Sequence, residues 1–335
     1  MAQPRRQSAG TDRRAVSIGA GADHAGRELR RADTGDMGMR WMGIDGGGSH
    51  LRVVIVDDNL RVLTEQSGES ANPNSIGQQV AAERIRNAVS AALAAAGRGT
   101  VTGVGVGIAG ASARHAADWL ESVLRPVLPR AQYALSSDEE IALVGGRGRR
   151  DGVVLLAGTG STAYGVAQDG RVFRSGGWGY LLGDEGSGYW IGLQALRAVT
   201  RYADGRLDTA GDLAATIMKR LALSTPDELI AYVYREARPT DIAALTRDVL
   251  ALPDDPRARA IIDHAAHHLA ELAVHVAEKL DFTTEAITFA GTLLTTNNPL
   301  SEAVVNALGL PLPPTIRYPP VIGAALLAKL KSHAN

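Results

Sequence analysis

The sequence predicts an α/β protein made of one unit used twice, with each copy built to cradle phosphate. Three observations support this. Gly46-Gly47-Gly48-Ser49 follows an apolar strand. A near-copy, Gly158-Thr159-Gly160-Ser161, follows another strand about a hundred residues later. Both turns open the same series of strand, glycine turn, strand, polar turn, strand, so the two halves read as a tandem duplication.

In the first copy Trp41–Asp45 is a short buried strand by pattern, and Leu51–Val56 is a second. Asp57-Asp58-Asn59 carries turn chemistry, and Leu60–Thr64 continues as a third strand. The order excludes two familiar nucleotide loops. A Walker loop needs Gly-Lys-Ser/Thr followed by a helix, and a dinucleotide fingerprint also needs a helix straight after its glycines. Here a strand follows and no lysine is present. Ile76–Ala96 is alanine-rich and predicts a helix. Val101–Ile108 alternates valine with glycine, the pattern of a buried strand that other backbone approaches closely. A helix over Ala113–Leu124, a strand over Gln132–Leu135 and a helix beginning at Asp138 complete the half. Asp138 sits just beyond a strand end, where α/β proteins place functional groups.

The second copy opens with the strand Val153–Ala157, and Thr162–Ala167 and Arg171–Arg174 are its next two strands. Residues 189–280 read as mostly helical. Ala286–Ala290 is a strand, Glu302–Leu308 a helix, and Pro319-Pro320 opens a last helix over Val321–Leu330.

Composition narrows the possible functions. The 335 residues suffice for about two domains. Net charge is −1, so no overall field draws the chain to nucleic acid or an anionic membrane, and no basic patch is interleaved with aromatics. There is no cysteine, which excludes disulfides, thiolate metal sites and cysteine-ligated iron–sulfur clusters. No apolar run reaches the roughly 18 residues of a membrane span, so the expected location is the cytoplasm. Residues 1–40, with Arg5-Arg6, Arg13-Arg14 and Arg30-Arg31, read as a disordered tail or as the product of an upstream start ahead of Met37 or Met39. A twin-arginine signal would need an apolar stretch after the arginines, and none follows.

Several residue sets point to chemistry. Amides in a glycine turn can converge on phosphate oxygens because no Cβ blocks the approach. Asp45 borders the first turn, where a carboxylate could hold Mg²⁺ through water or simply brace the turn. The run Gly176–Trp190 surrounds Asp184 and Glu185 with glycines and with Trp178, Tyr180 and Tyr189, ring faces plus acceptors suited to a sugar. Its simpler reading is a helix start capped by Asp184 or Ser187. Asn72, in Ser70-Ala71-Asn72-Pro73-Asn74, could pair with a sugar hydroxyl or make an asparagine–proline turn. His264, His267, His268 and His275 share one predicted helix whose apolar stripe runs through Ile262, Ala265, Leu269, Leu272, Val276 and Leu280, so a solvated face explains them better than a metal.

Taken in order, Gly43-Ile44-Asp45-Gly46-Gly47-Gly48, Ala157-Gly158-Thr159-Gly160-Ser161 and Gly176-Gly177-Trp178-Gly179 through Gly183-Asp184-Glu185-Gly186-Ser187-Gly188 resemble the N-acetylglucosamine kinase family. That family sits among the BadF/BadG/BcrA/BcrD-type ATPases of the sugar kinase/Hsp70/actin superfamily. The resemblance runs from about Trp41 to Leu330. It implies two RNase H-like (actin-like ATPase) domains with a cleft between them: residues 41–137 joined by a returning helix over 319–333, and residues 138–318. It further implies an ATP-dependent kinase of an amino sugar, most simply N-acetylglucosamine at its 6-hydroxyl, using Mg²⁺ and assembling as a homodimer. By position, Gly47, Gly48 and Ser49 would hold the β- and γ-phosphates. Thr159 and Gly160 would take the nucleotide's second side, and Gly291 and Thr292 the adenosine. Asn72, Asp138, Ser161, Gly177, Trp178, Gly179, Tyr180 and Asp184 would contact the sugar, with Asp138 as catalytic base. Ser49 stands where the family usually has threonine, and Glu139 where a small residue is common; that extra charge is expected to raise the Asp138 pKa. The adenosine turn keeps one glycine. The activase branch, with its cysteine-held cluster, is excluded by the absence of cysteine. The rival readings are a kinase of glucosamine or another N-acyl hexosamine, a non-catalytic ATP- and sugar-binding regulator, and an ATPase that drives a partner.

Overall fold

The computed structural model describes residues 38–47, 50–97, 99–109, 114–207 and 211–333, which lie in one compact unit, Gly38–Asn335. The expectations for residues 1–37 therefore lie outside the described residues, as do those for Gly48 and Ser49. The first half carries β1 (Arg40–Gly46), β2 (His50–Val56), β3 (Val62–Glu69), α1 (Pro73–Ile76), α2 (Gln78–Ala95), β4 (Val101–Ile108), α3 (Arg114–Leu124) and β5 (Gln132–Ser136). Then come α4 (Asp138–Arg147), β6 (Gly152–Ala157), β7 (Ser161–Val166) and β8 (Val172–Gly176). Six α-helices follow among the described residues: α5 (Gly188–Ala203), α6 (Gly211–Arg220), α7 (Glu228–Ala231), α8 (Pro239–Ala244), α9 (Thr246–Leu250) and α10 (Pro256–Lys279). The chain closes with β9 (Ile287–Ala290), α11 (Thr292–Thr295), α12 (Pro299–Ala307) and α13 (Pro320–Ser332).

The α/β expectation holds, and the strands form two mixed sheets, ordered β3-β2-β1-β4-β5 and β8-β7-β6-β9. In each, an antiparallel meander of three strands is extended by a parallel strand beside its first member, β4 on β1 and β9 on β6. The duplication read from the two glycine turns is thus a duplication of sheet topology.

Some boundaries differ from expectation for local reasons. The third strand starts later because Leu60 takes a left-handed conformation (φ 62°) in the turn. There the Asp57 Oδ1 accepts from the amides of Asn59 (2.8 Å) and Arg61 (2.9 Å). The helix expected over Ile76–Ala96 breaks at Gly77, whose φ of 83° separates α1 from α2. The short α11 gave no periodic signal in four residues.

On the first sheet, α2 and α3 cover one face through Ile85, Val89, Leu120 and Leu124. The other face receives α13 and α4, where Trp41, Val54 and Val56 pack against Ile141, Val144, Val321 and Leu327. Glycine in β4 allows this close approach: a Cβ on Gly105 would fall 1.7 Å from the Ala324 carbonyl oxygen. The α13 backbone lies directly on the strand, as the valine–glycine alternation predicts. The second sheet packs on α10, with Ile262, Ala265, Leu269 and Val276 buried in its core. Helix α4 belongs to both assemblies. Ile141 and Val144 face the first sheet, while Ala142 and Leu143 pack with Val154, Val166 and Ala290 of the second.

Candidate active site

The first glycine turn closes the β1–β2 hairpin. The Gly47 amide donates to His50 O (3.0 Å), and Gly46 O accepts from the Ala109 amide (2.8 Å) at the end of β4. The hairpin register places Asp45 directly opposite Arg52. Ser70 Oγ donates to Gly47 O (3.2 Å) and accepts from the Asn72 amide (3.2 Å), tying the Asn72 loop to this turn. Asn72 itself caps α1: its Oδ1 accepts from the Asn74 amide (2.9 Å), so the asparagine–proline turn is formed and the side-chain oxygen is engaged.

The second turn is held from behind. Its Gly158 and Thr159 carbonyls accept from the first amides of α5, Gly188 N (2.8 Å) and Tyr189 N (3.2 Å). The Thr159 and Gly160 amides have no acceptor among the described residues. A turn whose carbonyls are spent inward and whose amides remain open is suited to an anion.

Asp184 fastens this turn to the aromatic loop. It is buried, adopts φ 59°, and accepts from the Ser161 amide (3.3 Å) and from the Gly179 amide. Burial pushes its carboxyl up, and those two donors draw it back down. Ser161 Oγ donates to Glu185 O (2.8 Å), and Gly177 N donates to Ser161 O (2.9 Å). Thr159, Gly160, Ser161, Gly177, Gly179 and Asp184 therefore form one connected cluster. Of the two capping candidates, Ser187 caps α5 by accepting from the Trp190 amide (3.2 Å), and Asp184 is turned to the loop instead. Trp178 and Tyr180 stand on the loop at 69% and 43% exposure, with the Tyr180 ring 4.8 Å from that of Tyr189. Their faces are open to a ligand.

Asp138 is the first residue of α4, and Ser137 caps the helix by accepting from the Glu140 amide (3.2 Å). Burial pushes the Asp138 carboxyl up to about 8; the charge and hydrogen bonding of Glu139 add to the rise, and Asp45 adds its own negative charge. Burial also pushes Asp45 up to about 6 against the pull of Arg52. Asp45 and Asp138 thus feel each other across the ends of β1 and α4. A site with two destabilised carboxylates is ready for a cation or a proton.

Asp45 and Arg52 also line a cavity of about 500 Å³. Its other walls are Ala142 and Gly146 of α4, the Phe289–Thr292 turn, and the strap from Ile316 to Pro320. Gly291 needs to be glycine: its φ is 82°, and a Cβ would meet Ala157 O at 2.2 Å. The expected adenosine turn and the expected metal-side aspartate therefore share one cavity. Sequence reading missed Arg52, Arg317 and Tyr318 in this wall. Arg52 was recoverable, because a hairpin that pairs Gly46 with Leu51 also pairs Asp45 with Arg52. The strap offers no such arithmetic.

Among the described residues, no three His, Asp or Glu side chains gather to hold a metal. His264, His267 and His275 are exposed on α10, and His268 packs edge-on against Trp190 at 5.3 Å, so the solvated-face reading holds. No described helix is long and apolar enough to cross a membrane.

The chain is an α/β protein whose two mixed sheets repeat one strand order, and known proteins share that fold. A ROK hexokinase from Thermus thermophilus shares this fold at a TM-score of 0.53 and 22% identity, over 88% of this chain and 100% of that one. Residues 42–328 match the BadF/BadG/BcrA/BcrD ATPase family, and the chain belongs to it. It is 31% identical over 299 residues to an N-acetylmuramic acid/N-acetylglucosamine kinase of Clostridium acetobutylicum, covering 86% of this chain and 97% of that protein. A Chromobacterium violaceum structure, provisionally named an N-acetylglucosamine kinase, matches at a TM-score of 0.66 and 26% identity, over 86% of this chain and 98% of that one.

Proposed function

We propose that this chain is an ATP-dependent amino-sugar kinase that phosphorylates N-acetylglucosamine at its 6-hydroxyl. The observation that carries this reading is Asp138. Its carboxyl stands at the N-terminus of α4, where it feels the charge of Asp45, in a chain that aligns almost end to end with a kinase of that substrate class.

The geometry supports the following roles. Lobes 41–137 with 319–333, and 138–318, would close on the nucleotide and sugar, with α4 shared between them. The open amides of Thr159 and Gly160 would take phosphate oxygens, and by the family resemblance Gly47, Gly48 and Ser49 would hold the β- and γ-phosphates. Gly291 and Thr292 border the adenosine. Asp45 offers one hard oxygen, which suits a hydrated Mg²⁺ shared with phosphates better than a protein cage. When bound, Mg²⁺ neutralises charge on the transferring phosphoryl group. Asn72, Asp184, the loop glycines, Trp178 and Tyr180 hold the sugar. Asp138 orients the 6-hydroxyl and accepts its proton as the new O–P bond forms and the bond to ADP breaks. Most of the rate comes from positioning.

The test is ADP release with ATP and Mg²⁺ against N-acetylglucosamine, N-acetylmuramate, glucosamine, N-acetylmannosamine, glucose and no sugar. The expected result is stimulation by N-acetylglucosamine over a low blank, with phosphate found on C6 by NMR. Equal release in every well overturns the reading in favour of an ATPase serving a partner. A homodimer belongs to the same reading and is checked by sedimentation.

A further inference from the structure

Glu139 is an oddity. It is a carboxylate at 8% exposure, in the first turn of α4, next to another carboxylate whose ionisation it opposes. A buried acid in that position needs a counter-charge. Among the described residues the only cation within 4 Å is Arg174, whose Nη1 lies 3.7 Å from the Glu139 Oε1. Arg174 comes from β8, two residues before Gly176, on a different element from α4.

The placement of Arg174 is specific. Its guanidinium carbon lies 3.7 Å from where a Cβ on Gly177 would stand, so the charge sits beneath the first turn of the aromatic loop. Gly177 has φ 70°, and its amide hangs from Ser161 O. The Arg174 side chain is 37% exposed and donates no hydrogen bond among the described residues. At 3.7 Å its contact with Glu139 is an ion pair without a hydrogen bond, so the two groups have room to tighten. Facing the pair are Asp138 from α4 itself and the Tyr164 hydroxyl from β7, whose ionisation burial suppresses first and the charges of Glu140 and Glu139 further. Arg150 is taken by Glu140 at 2.7 Å and does not serve Glu139.

We propose that Glu139 and Arg174 form a charged latch between the first turn of α4 and the 177–183 loop, so that seating the loop on a sugar and positioning the Asp138 carboxyl are one event. Both are positioning residues: neither touches the reacting atoms. The latch rests on the kinase reading for its purpose and not for its existence. With the loop seated, Arg174 draws the Glu139 carboxylate toward β8 and away from Asp138, leaving Asp138 free to meet the hydroxyl. With the loop lifted, Glu139 turns back on Asp138. The same contact would suppress ATP hydrolysis without sugar, because the base is competent only under a seated loop.

The experiment uses the full chain and the variants R174M, R174K, E139Q and E139Q/R174M, each checked for a native melting temperature. Hydrogen–deuterium exchange of the 177–183 amides is read without ligand. R174M and E139Q are expected to exchange at least about 5-fold faster in this loop and unchanged in α10, with the double variant no faster than either single, the signature of one coupled pair. In turnover, R174M is expected to raise the sugar KM and lower kcat by about 10-fold each while leaving the ATP KM alone, and R174K to recover most of both. Loop exchange that is unchanged in R174M and E139Q overturns the latch, as do additive effects in the double variant. Absence of sugar-stimulated turnover in the unmodified protein would remove the kinase reading alone, since the exchange measurement decides the latch independently.

Discussion

Gly323 of α13 lies against Gly145 of α4 so closely that a Cβ on Gly323 would stand 2.5 Å from the Gly145 amide nitrogen and 2.1 Å from the Ile141 carbonyl oxygen. Both obstacles are backbone, so neither side can yield by changing a rotamer. This crossing fixes α4, and with it Asp138 at the helix start. G323A is expected to cost about 3 kcal/mol or more by overpacking. Urea unfolding checks it, with G68A as control: a Cβ there meets nothing within 4 Å, and its effect should stay within about 0.5 kcal/mol.

Asp138 gives a pH prediction with a definite sign. Its native pKa is about 8 against an ordinary 3.8, so between those values the native state holds a proton that the unfolded state has lost. The stability from this group is present in full below about pH 4 and is lost as pH rises through 8. Wild-type urea midpoints should therefore fall across that window relative to D138N, whose side chain has no proton to lose. In turnover, kcat/KM for the sugar should show an acid limb near pH 8, and D138A should abolish turnover while leaving ATP binding intact. Turnover retained in D138A would refute the role given to Asp138.

Asp184 joins stability to recognition. Its oxygens serve the Ser161 and Gly179 amides, and its backbone is left-handed. D184A is expected to cost about 1–3 kcal/mol, because two loop amides lose their acceptor and Ala resists that conformation. D184N keeps the conformation and one acceptor, and should cost about half as much. Calorimetry of the two variants tests the order, and D184A should also raise the sugar KM.

Trp178 should behave in the opposite way. At 69% exposure it adds little to the core, so W178A is expected to leave the melting temperature within about 1 °C and still raise the sugar KM by about 10-fold. A large loss of stability would show the ring to be structural.

Gly291 separates the nucleotide from the sugar. G291A forces a Cβ onto Ala157 O and strains φ 82°. It should raise the ATP KM by about 10-fold or more with the sugar KM little changed. Equal loss for both substrates would mean that the substitution disturbs β6 as a whole.

The legible parts of this protein were those with periodic or repeated signals. The valine–glycine alternation of β4 announced both the strand and the backbone laid upon it. Two glycine turns in matching contexts announced the paired sheets. Asp138 was visible from its place after a strand end. Turns and pairings were less visible. Gly77 breaks a helix that composition alone would run through, and Leu60 holds a left-handed turn that no propensity favours. Arg174, Arg317 and Tyr318 become neighbours of the site only through tertiary packing. Asp184 and Ser187 both looked like caps, and only the network around Ser161 tells them apart.

The placement of α13 also governs how the protein is made. Trp41, Val54 and Val56 are among the first apolar residues of the folded unit to leave the ribosome, and their cover of Val321, Ala324 and Leu327 is among the last. A nascent chain that has finished its first sheet at Ser136 therefore carries one incompletely covered apolar face until α13 begins at Pro320, roughly 185 residues later and an interval of about 9–37 s at common elongation rates. Such a chain can complete its hydrophobic core only once α13 has been made, and a chaperone that shields the Trp41 face until then would raise the yield more than one acting on the second sheet, whose covering helix α10 is made long before α13.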